Sequence, residues 1–272
     1  MRIVSLVCSN TEIVHALGCQ EGLVGVDDHS DHPEETLRHL PRLGPELEID
    51  MEAVARLEPD LVLASLTVPG HEKVVEGLEA TGLPFLAPDP TSLQDVYRDI
   101  RTIAGALGVE DRGDAVVRGM QEDFREILAG DPEGPASQPP SALIQWWPKP
   151  VIAPGRLSWV QDLMDMVGLK NPLGTEEVKS RPLPDQEVAR VAPHAIVLSW
   201  CGVDPARYRP DVVYDHPGWQ DVPAVRNHQV HCIPEAYLGR PGPRLVEGAR
   251  ALFRVRRAVG REARPREEPT DE

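Results

Sequence analysis

Val54-Ala55-Arg56-Leu57-Glu58-Pro59 runs directly into Asp60-Leu61-Val62-Leu63-Ala64-Ser65, and 134 residues later Val188-Ala189-Arg190-Val191-Ala192-Pro193 runs into His194-Ala195-Ile196-Val197-Leu198-Ser199. Each copy reads as a helix end, a proline turn and a short buried strand. Proline cannot continue a helix, and it biases the residue before it away from right-handed helical dihedrals. The apolar run that follows has the length of a parallel strand covered on both faces. Two copies this far apart predict two similar α/β lobes, and the cleft between two lobes is a common ligand site.

The flanking sequence supports the same alternation. Strands are expected at 2–7, Leu23–Val26, Leu61–Ala64 and Pro84–Ala87, with helices over about 9–17, 51–57 and 70–81 between them. Ser9-Asn10-Thr11-Glu12 fits a capping box in which Glu12 reaches back to Ser9, and Asp50 is placed to cap the 51–57 helix. Two helices, 92–107 and 111–128, then carry the chain into a loop rich in glycine and proline at 129–140. A second alternation follows, with strands at Leu143–Trp147, Val151–Ala153, 195–199 and Gln229–Ile233, and helices at 157–167, 185–191 and 244–258. The predicted fold is α/β, two Rossmann-like lobes with parallel sheets joined by a single long backbone helix. The boundaries are an N-terminal lobe at 1–91, a helical segment at 92–130, a C-terminal lobe at 131–260 and a frayed tail at 261–272.

Composition narrows the function. With 44 acidic and 28 basic residues, the formal net charge of -16 argues against nucleic acid and anionic membrane surfaces as partners. No run approaches the ~18 apolar residues of a membrane span. Met1-Arg2 leads straight into a strand, so a cytoplasmic location is expected as the sequence is written, and an extracytoplasmic one if an export signal precedes it. Cys8, Cys19, Cys201 and Cys232 form no CxxC pair and read as isolated reduced thiols. There is no hydrolase-type Ser/His/Asp order, phosphate-cradling glycine loop or nucleophile elbow, so a non-catalytic role is expected.

Five of the twelve aromatic residues are tryptophan. Trp146 and Trp147 are adjacent at a strand end, so they point to opposite faces, and one is free to line a cleft. Trp200 directly follows a buried strand, where ligands of parallel sheets bind. Trp159 reads as core and Trp219 as a structural plug. Asp27-Asp28-His29-Ser30-Asp31-His32 is the densest ligand-like cluster. Three readings of it stay open: a polar rim with capping aspartates, a ligand contact without metal, or a metal set of His29, Asp31 and His32. Arg240 either reaches a ligand group or forms a salt bridge at a helix start. His71, His194, His216, His228 and His231 are scattered and read as solvated.

Several phrases, in order, resemble a known family: Arg2-Ile3-Val4-Ser5-Leu6 with Ser9-Asn10-Thr11-Glu12, Val24-Gly25-Val26 with Ser30-Asp31-His32-Pro33, Pro59-Asp60-Leu61-Val62, Trp219-x-x-Val222-Pro223-Ala224-Val225, and Arg240-Pro241-Gly242-Pro243-Arg244. The chain resembles the cobalamin-binding branch of the helical-backbone (class III) substrate-binding proteins of ABC transporters. That resemblance implies a small-molecule ligand, cobalamin (vitamin B12) or a related corrinoid, held between the lobes with no cofactor required. The implied ligand-binding residues are His29, Ser65, Leu66, Trp146, Trp147, Trp200, Tyr237 and Arg240, with the Leu43-Gly44-Pro45 loop nearby. Where such receptors commonly place an aromatic, His29 and Ser65 stand here. The resemblance also implies an ABC permease partner, docked by a carboxylate on each lobe seven residues before each repeat proline. Those positions are Glu52 and Gln186, with Glu187 adjacent. A receptor for a metal ion or metal chelate such as a siderophore or haem, and a cytoplasmic cofactor-handling protein that reuses the fold, are the competing readings.

Overall fold

The computed structural model describes residues 1–131, 134 and 138–262, with side chains through 260. The chain divides into two compact units. Unit 1 holds Met1–Asp123 and Arg240–Arg244, and unit 2 holds Phe124–Gly239 and the chain from Leu245 onward. The division falls inside a 20-residue helix, Glu110–Ala129, which is the expected backbone helix. Against the expected boundaries, 92–123 clusters with the first unit instead of forming a segment of its own, and 240–244 packs with the first unit although it lies late in the chain.

Unit 1 is built on a parallel sheet of β1 (Ile3–Ser5), β2 (Leu23–Val26), β3 (Leu61–Leu63) and β4 (Phe85–Leu86), in the order β2-β1-β3-β4. Its crossover helices are α1 (Cys8–Ala16), the short α2 (Glu34–Leu37), α3 (Met51–Arg56) and α4 (His71–Thr81), followed by α5 (Leu93–Ala106) and α6 (Glu110–Ala129). Asp50 caps α3 by accepting from Ala53 N at 2.9 Å, as expected. Ser92 caps α5 through Asp95 N, and Gly82, at φ 69°, ends α4. One face of the sheet buries Val4, Leu6, Val62 and Ala64 against Leu43, Val54, Val74 and Leu78.

Unit 2 carries a parallel sheet, β5 (Ala142–Gln145), β9 (Ala195–Leu198) and β10 (Val230–Cys232), in the order β10-β9-β5. A separate antiparallel sheet orders β6 (Trp147–Pro148), β7 (Val151–Pro154) and β8 (Ser180–Leu183). The single strand expected at Leu143–Trp147 is divided between the two sheets, and β8 has no counterpart in the expected strands. The chain instead changes sheets at Trp146, whose N–H donates to Ile152 O at 2.8 Å while its carbonyl accepts from Cys201 N at 3.1 Å. In β8, Pro182 removes a ladder donor and hides the strand from periodicity, and proline is tolerated because β8 is an edge. The helices are α7 (Trp159–Val167), α8 (Asp185–Val191), α9 (Asp211–Tyr214), α10 (Pro223–Arg226), α11 (Glu235–Leu238) and α12 (Leu245–Glu262). Trp159 and Trp219 are buried, as expected; their indole N–H groups donate to Leu238 O and Asp185 O. Of the expected loop at 129–140, residues 132–133 and 135–137 lie outside the described residues, as does the expected tail from 263 onward.

The repeated phrase has one geometry in both units. The residue before each proline is left-handed: Glu58 at φ 45° and Ala192 at φ 43°. After the proline, Asp60 and Leu61 N–H both donate to Arg2 O, at 2.8 and 3.2 Å. His194 and Ala195 N–H both donate to Ser141 O, at 2.9 and 3.1 Å. Left-handed dihedrals cost a residue with a Cβ roughly 1 kcal/mol. Glu58→Gly and Ala192→Gly are each expected to raise stability by ~0.5–1 kcal/mol, read as a shift in the urea midpoint at constant slope. Destabilisation by both would show that the left-handed turn is not strained.

Candidate functional site

In parallel α/β sheets, ligands meet the loops at the carboxyl ends of the strands. In unit 1 that edge carries the β2 loop at 27–31 and the β3 loop at 64–70. Asp27 organises the first. It is fully buried; Oδ1 accepts from Ser30 Oγ at 2.5 Å and Oδ2 accepts from His29 N at 2.9 Å. Ser30 Oγ lies 2.8 Å from Thr11 Oγ1, which donates to Ser5 Oγ at 2.8 Å. Burial pushes the Asp27 carboxyl above its usual range, against these hydrogen bonds. Arg42 closes the loop from outside by donating to the carbonyls of Asp27 and Ser30, at 3.0 and 2.6 Å. This loop therefore holds its shape through its own bonds, and it presents Asp28 and His29 exposed.

Glu12 corrects the sequence reading most directly. α1 starts at Cys8 with Val7 as N-cap and no side-chain cap, so Ser9 and Glu12 form no capping box. Glu12 is instead buried under two arginines, Arg240 Nη1 and Arg244 Nη1, each at 3.0 Å. Arg240 also donates to both carboxylate oxygens of Asp31, at 2.6 and 3.1 Å. Of the two readings of Arg240, the salt bridge is the one present. Burial raises the Glu12 carboxyl despite both cations. Burial acts upward on Asp31 too, but the hydrogen bonds and charge of Arg240 hold it below the usual carboxylate range. Among the described residues no group of three or more His, Cys, Asp and Glu side chains is placed to hold a metal ion. With Asp31 committed to Arg240, a metal set of His29, Asp31 and His32 has no support in this geometry.

The β3 loop is tied down in the same manner. Ser65 is buried, its hydroxyl 2.9 Å from Thr67 Oγ1 and donating to Pro88 O at 3.4 Å; Leu66 is half-buried. His71, expected to be solvated, is 1% exposed. Its Nδ1 accepts from Val68 N at 3.3 Å, which assigns the proton to Nε2, 2.9 Å from Glu46 Oε1. His71 thus joins the β3 loop to the loop that follows Gly44. Leu47 and Val68 stand exposed beside it.

In unit 2 the corresponding edge is aromatic. Trp147 is 43% exposed, whereas Trp146 is half-buried and stacks on Trp159 with ring centroids 6.4 Å apart. The alternation expected of the pair is present. Trp200 lies in the unit's core, 5.4 Å from the Tyr208 ring, and its carbonyl accepts from Tyr208 Oη at 3.2 Å. Burial pushes the Tyr208 phenol up to about 12. Tyr237 is half-buried on α11. Among the described residues, the buried side-chain atoms Gln145 Nε2, Trp146 Nε1, Ser199 Oγ and Trp200 Nε1 have no hydrogen-bond partner. Gln145 and Ser199 were not singled out from the sequence, because a buried strand end gives no periodic signal for a lone polar residue.

The implied docking positions differ between the units. Glu52 is almost fully exposed on α3, 3.7 Å from Arg56. Gln186 is exposed on α8. Glu187 is clamped by Arg181, with bonds of 2.8 and 2.9 Å, and by Arg190 at 3.0 Å.

Two α/β units divided within one long helix, each with a polar or aromatic loop edge, define a binding protein of the helical-backbone type. A family profile described as periplasmic binding protein matches residues 3–237. The chain belongs to that family. It is 29% identical to an uncharacterized ABC transporter substrate-binding lipoprotein, YvrC, of Bacillus subtilis over 254 residues, covering 92% of this chain and 78% of that one. It is 23% identical to a vitamin B12-binding protein of Pectobacterium atrosepticum, covering 92% and 86%. Among solved structures, the periplasmic heme-binding protein RhuT of Roseiflexus sp. RS-1 superposes with a TM-score of 0.78 at 27% identity, over 97% of this chain and 99% of that one.

Removing one member of the buried charge network tests its assignment. Arg240→Ala leaves Glu12 short of a partner and is expected to cost ~2–4 kcal/mol. Asp31→Asn is expected to cost under about 1 kcal/mol, since Asp31 is solvent-screened. A carboxyl held low contributes stability above the ordinary carboxylate range, lost as pH falls through its lowered value. Asp31→Asn should therefore also flatten the acid limb of the stability profile below about pH 4. An Asp31→Asn cost exceeding that of Arg240→Ala would refute the assignment.

Proposed function

We propose that this protein is the non-catalytic substrate-binding component of an ABC importer, and that its ligand is cobalamin or a related corrinoid. The observation that carries the choice of ligand is the state of the cations at the unit 1 edge. Arg240 and Arg244 lie on Glu12 and Asp31, so their charge is already balanced by carboxylates. With a chain net charge of -16, this favours a ligand whose groups are mainly neutral amides over one that brings carboxylates. A corrin is a broad, partly apolar disc with amide arms. Trp147, Leu47 and Val68 are exposed apolar surface suited to its faces, and a buried tryptophan removes ~150–250 Å² from water. The curated relatives named as vitamin B12-binding proteins support the same reading.

The haem reading keeps one specific support, the 27% identity to a protein named heme-binding. Haem brings two carboxylates and an iron that seeks an axial donor, a role that His29 or Tyr237 could fill. For the permease, Glu52 is the available docking carboxylate of unit 1. Glu187, held by Arg181 and Arg190, is the less available candidate, and Gln186 offers an amide. The relatives' names, periplasmic and lipoprotein, favour action outside the cytoplasm over the cytoplasmic location expected from Met1-Arg2. Among the described residues no helix is long and apolar enough to cross a membrane.

Calorimetric titration of the purified protein with cyanocobalamin, dicyanocobinamide and haemin decides between the readings. Micromolar or tighter binding of the two corrinoids, with haemin at least tenfold weaker, is expected. Haemin binding with no heat from either corrinoid would replace this proposal by the haem reading.

A further inference from the structure

The ends of β5 and β9 in unit 2 carry a group of buried polar atoms that have no hydrogen-bond partner among the described residues. The two strands run parallel, with Gln145 opposite Leu198, and the ladder continues beyond them through Ser199 N to Gln145 O at 2.9 Å and Cys201 N to Trp146 O at 3.1 Å. The step is two residues on the β9 side against one on the β5 side, so regular alternation ends at these strand tips. Gln145 is 1% exposed, Ser199 0% and Trp200 6%. The unpartnered atoms are Gln145 Nε2, Trp146 Nε1, Ser199 Oγ and Trp200 Nε1. The first, second and fourth can only donate, and the serine hydroxyl can also donate.

A donor buried without an acceptor costs ~1–3 kcal/mol. Apolar side chains of similar size would remove that cost, so four such atoms on two adjacent strand ends call for an explanation. Trp159 and Trp219, elsewhere in the same unit, show the ordinary solution, each indole donating to a carbonyl. The four unpartnered atoms lie instead where parallel sheets receive ligands. The four groups are neutral donors and none of them is a cation, so a carboxylate brought here would be desolvated without a counter-charge. The acceptors that suit this edge are neutral carbonyl oxygens rather than carboxylates.

We infer that Gln145 and Ser199, together with the indole N–H groups of Trp146 and Trp200, form a recognition site for ligand amide carbonyls and set selectivity for amidated corrinoids over carboxylated ones. This deepens the corrinoid reading and rests on it. Gln145 and Ser199 are the specificity-determining positions, because each can be exchanged for an apolar side chain of similar or smaller size without removing an internal hydrogen bond. Loss of a ligand hydrogen bond worth ~1.4 kcal/mol is a tenfold loss of affinity.

The test compares wild type, Gln145→Met and Ser199→Ala by calorimetry with cyanocobalamin and with its monocarboxylic acids, in which one peripheral amide is hydrolysed. Thermal unfolding of each variant without ligand is measured in parallel. The expected result is that wild type binds at least one monocarboxylic acid tenfold or more weakly than cyanocobalamin. Both variants should bind cyanocobalamin tenfold or more weakly while keeping or raising the melting temperature. Variants with wild-type affinity and unchanged discrimination would overturn the inference while leaving the corrinoid reading intact. A wild type that binds no corrinoid would overturn both.

Discussion

The fold depends on one turn made twice. A helix ends, the residue before the proline enters the left-handed region, proline fixes the exit, and two successive N–H groups then share one carbonyl at the start of the first strand of that unit. At Glu58-Pro59 the shared acceptor is Arg2 O; at Ala192-Pro193 it is Ser141 O. The turn sets the register of β3 on β1 and of β9 on β5. Register decides which side chains are buried and which residues reach the strand ends, because a slip of one position would exchange the two faces. The backbone strain at two non-glycine residues is small against that gain in definition.

The same turn yields chemically different edges in the two units. In unit 1 the loop polar groups are mostly bonded within the fold, although Glu12 Oε2 and His71 Nε2 are buried without a hydrogen-bond partner among the described residues. Asp27 is bonded by Ser30 and His29, His71 accepts from Val68 and lies 2.9 Å from Glu46, and Glu12 and Asp31 are bonded by the arginines from 240–244. Such an edge holds its loops in place and presents little net charge. In unit 2 the edge is aromatic and holds buried donors that lack partners. Loops that hold their shape and buried donors with unmet hydrogen-bonding capacity suit the large, mostly neutral ligand proposed above.

Much of this was legible in the sequence because it is local. The repeated phrase, the Asp50 cap, the glycine that ends α4 and the burial of Trp159 each follow from residues within a few positions of one another. What stayed hidden depends on partners far along the chain. Glu12 reads as half of a capping box until Arg240, 228 residues away, is seen to claim it. His71 reads as solvated until Glu46 and Val68 enclose it. β8 carries a proline and polar residues, so only its pairing with β7 reveals it. Trp146 lies in what reads as a continuous strand, and the change of sheet there follows from bonds to Ile152 and Cys201. The proposed site is partly legible: Trp146 and Trp200 stand out by type, whereas Gln145 and Ser199 become conspicuous only once burial without a partner is known.

Hydrogen–deuterium exchange with and without saturating cyanocobalamin tests the central claim most directly, since it locates the ligand on the chain without assuming any residue. The account predicts new protection concentrated in 27–31, 64–70, 145–148 and 199–202, with the outer helices α5 and α12 unchanged. Protection absent from those four segments, or confined to the outer helices, would contradict it.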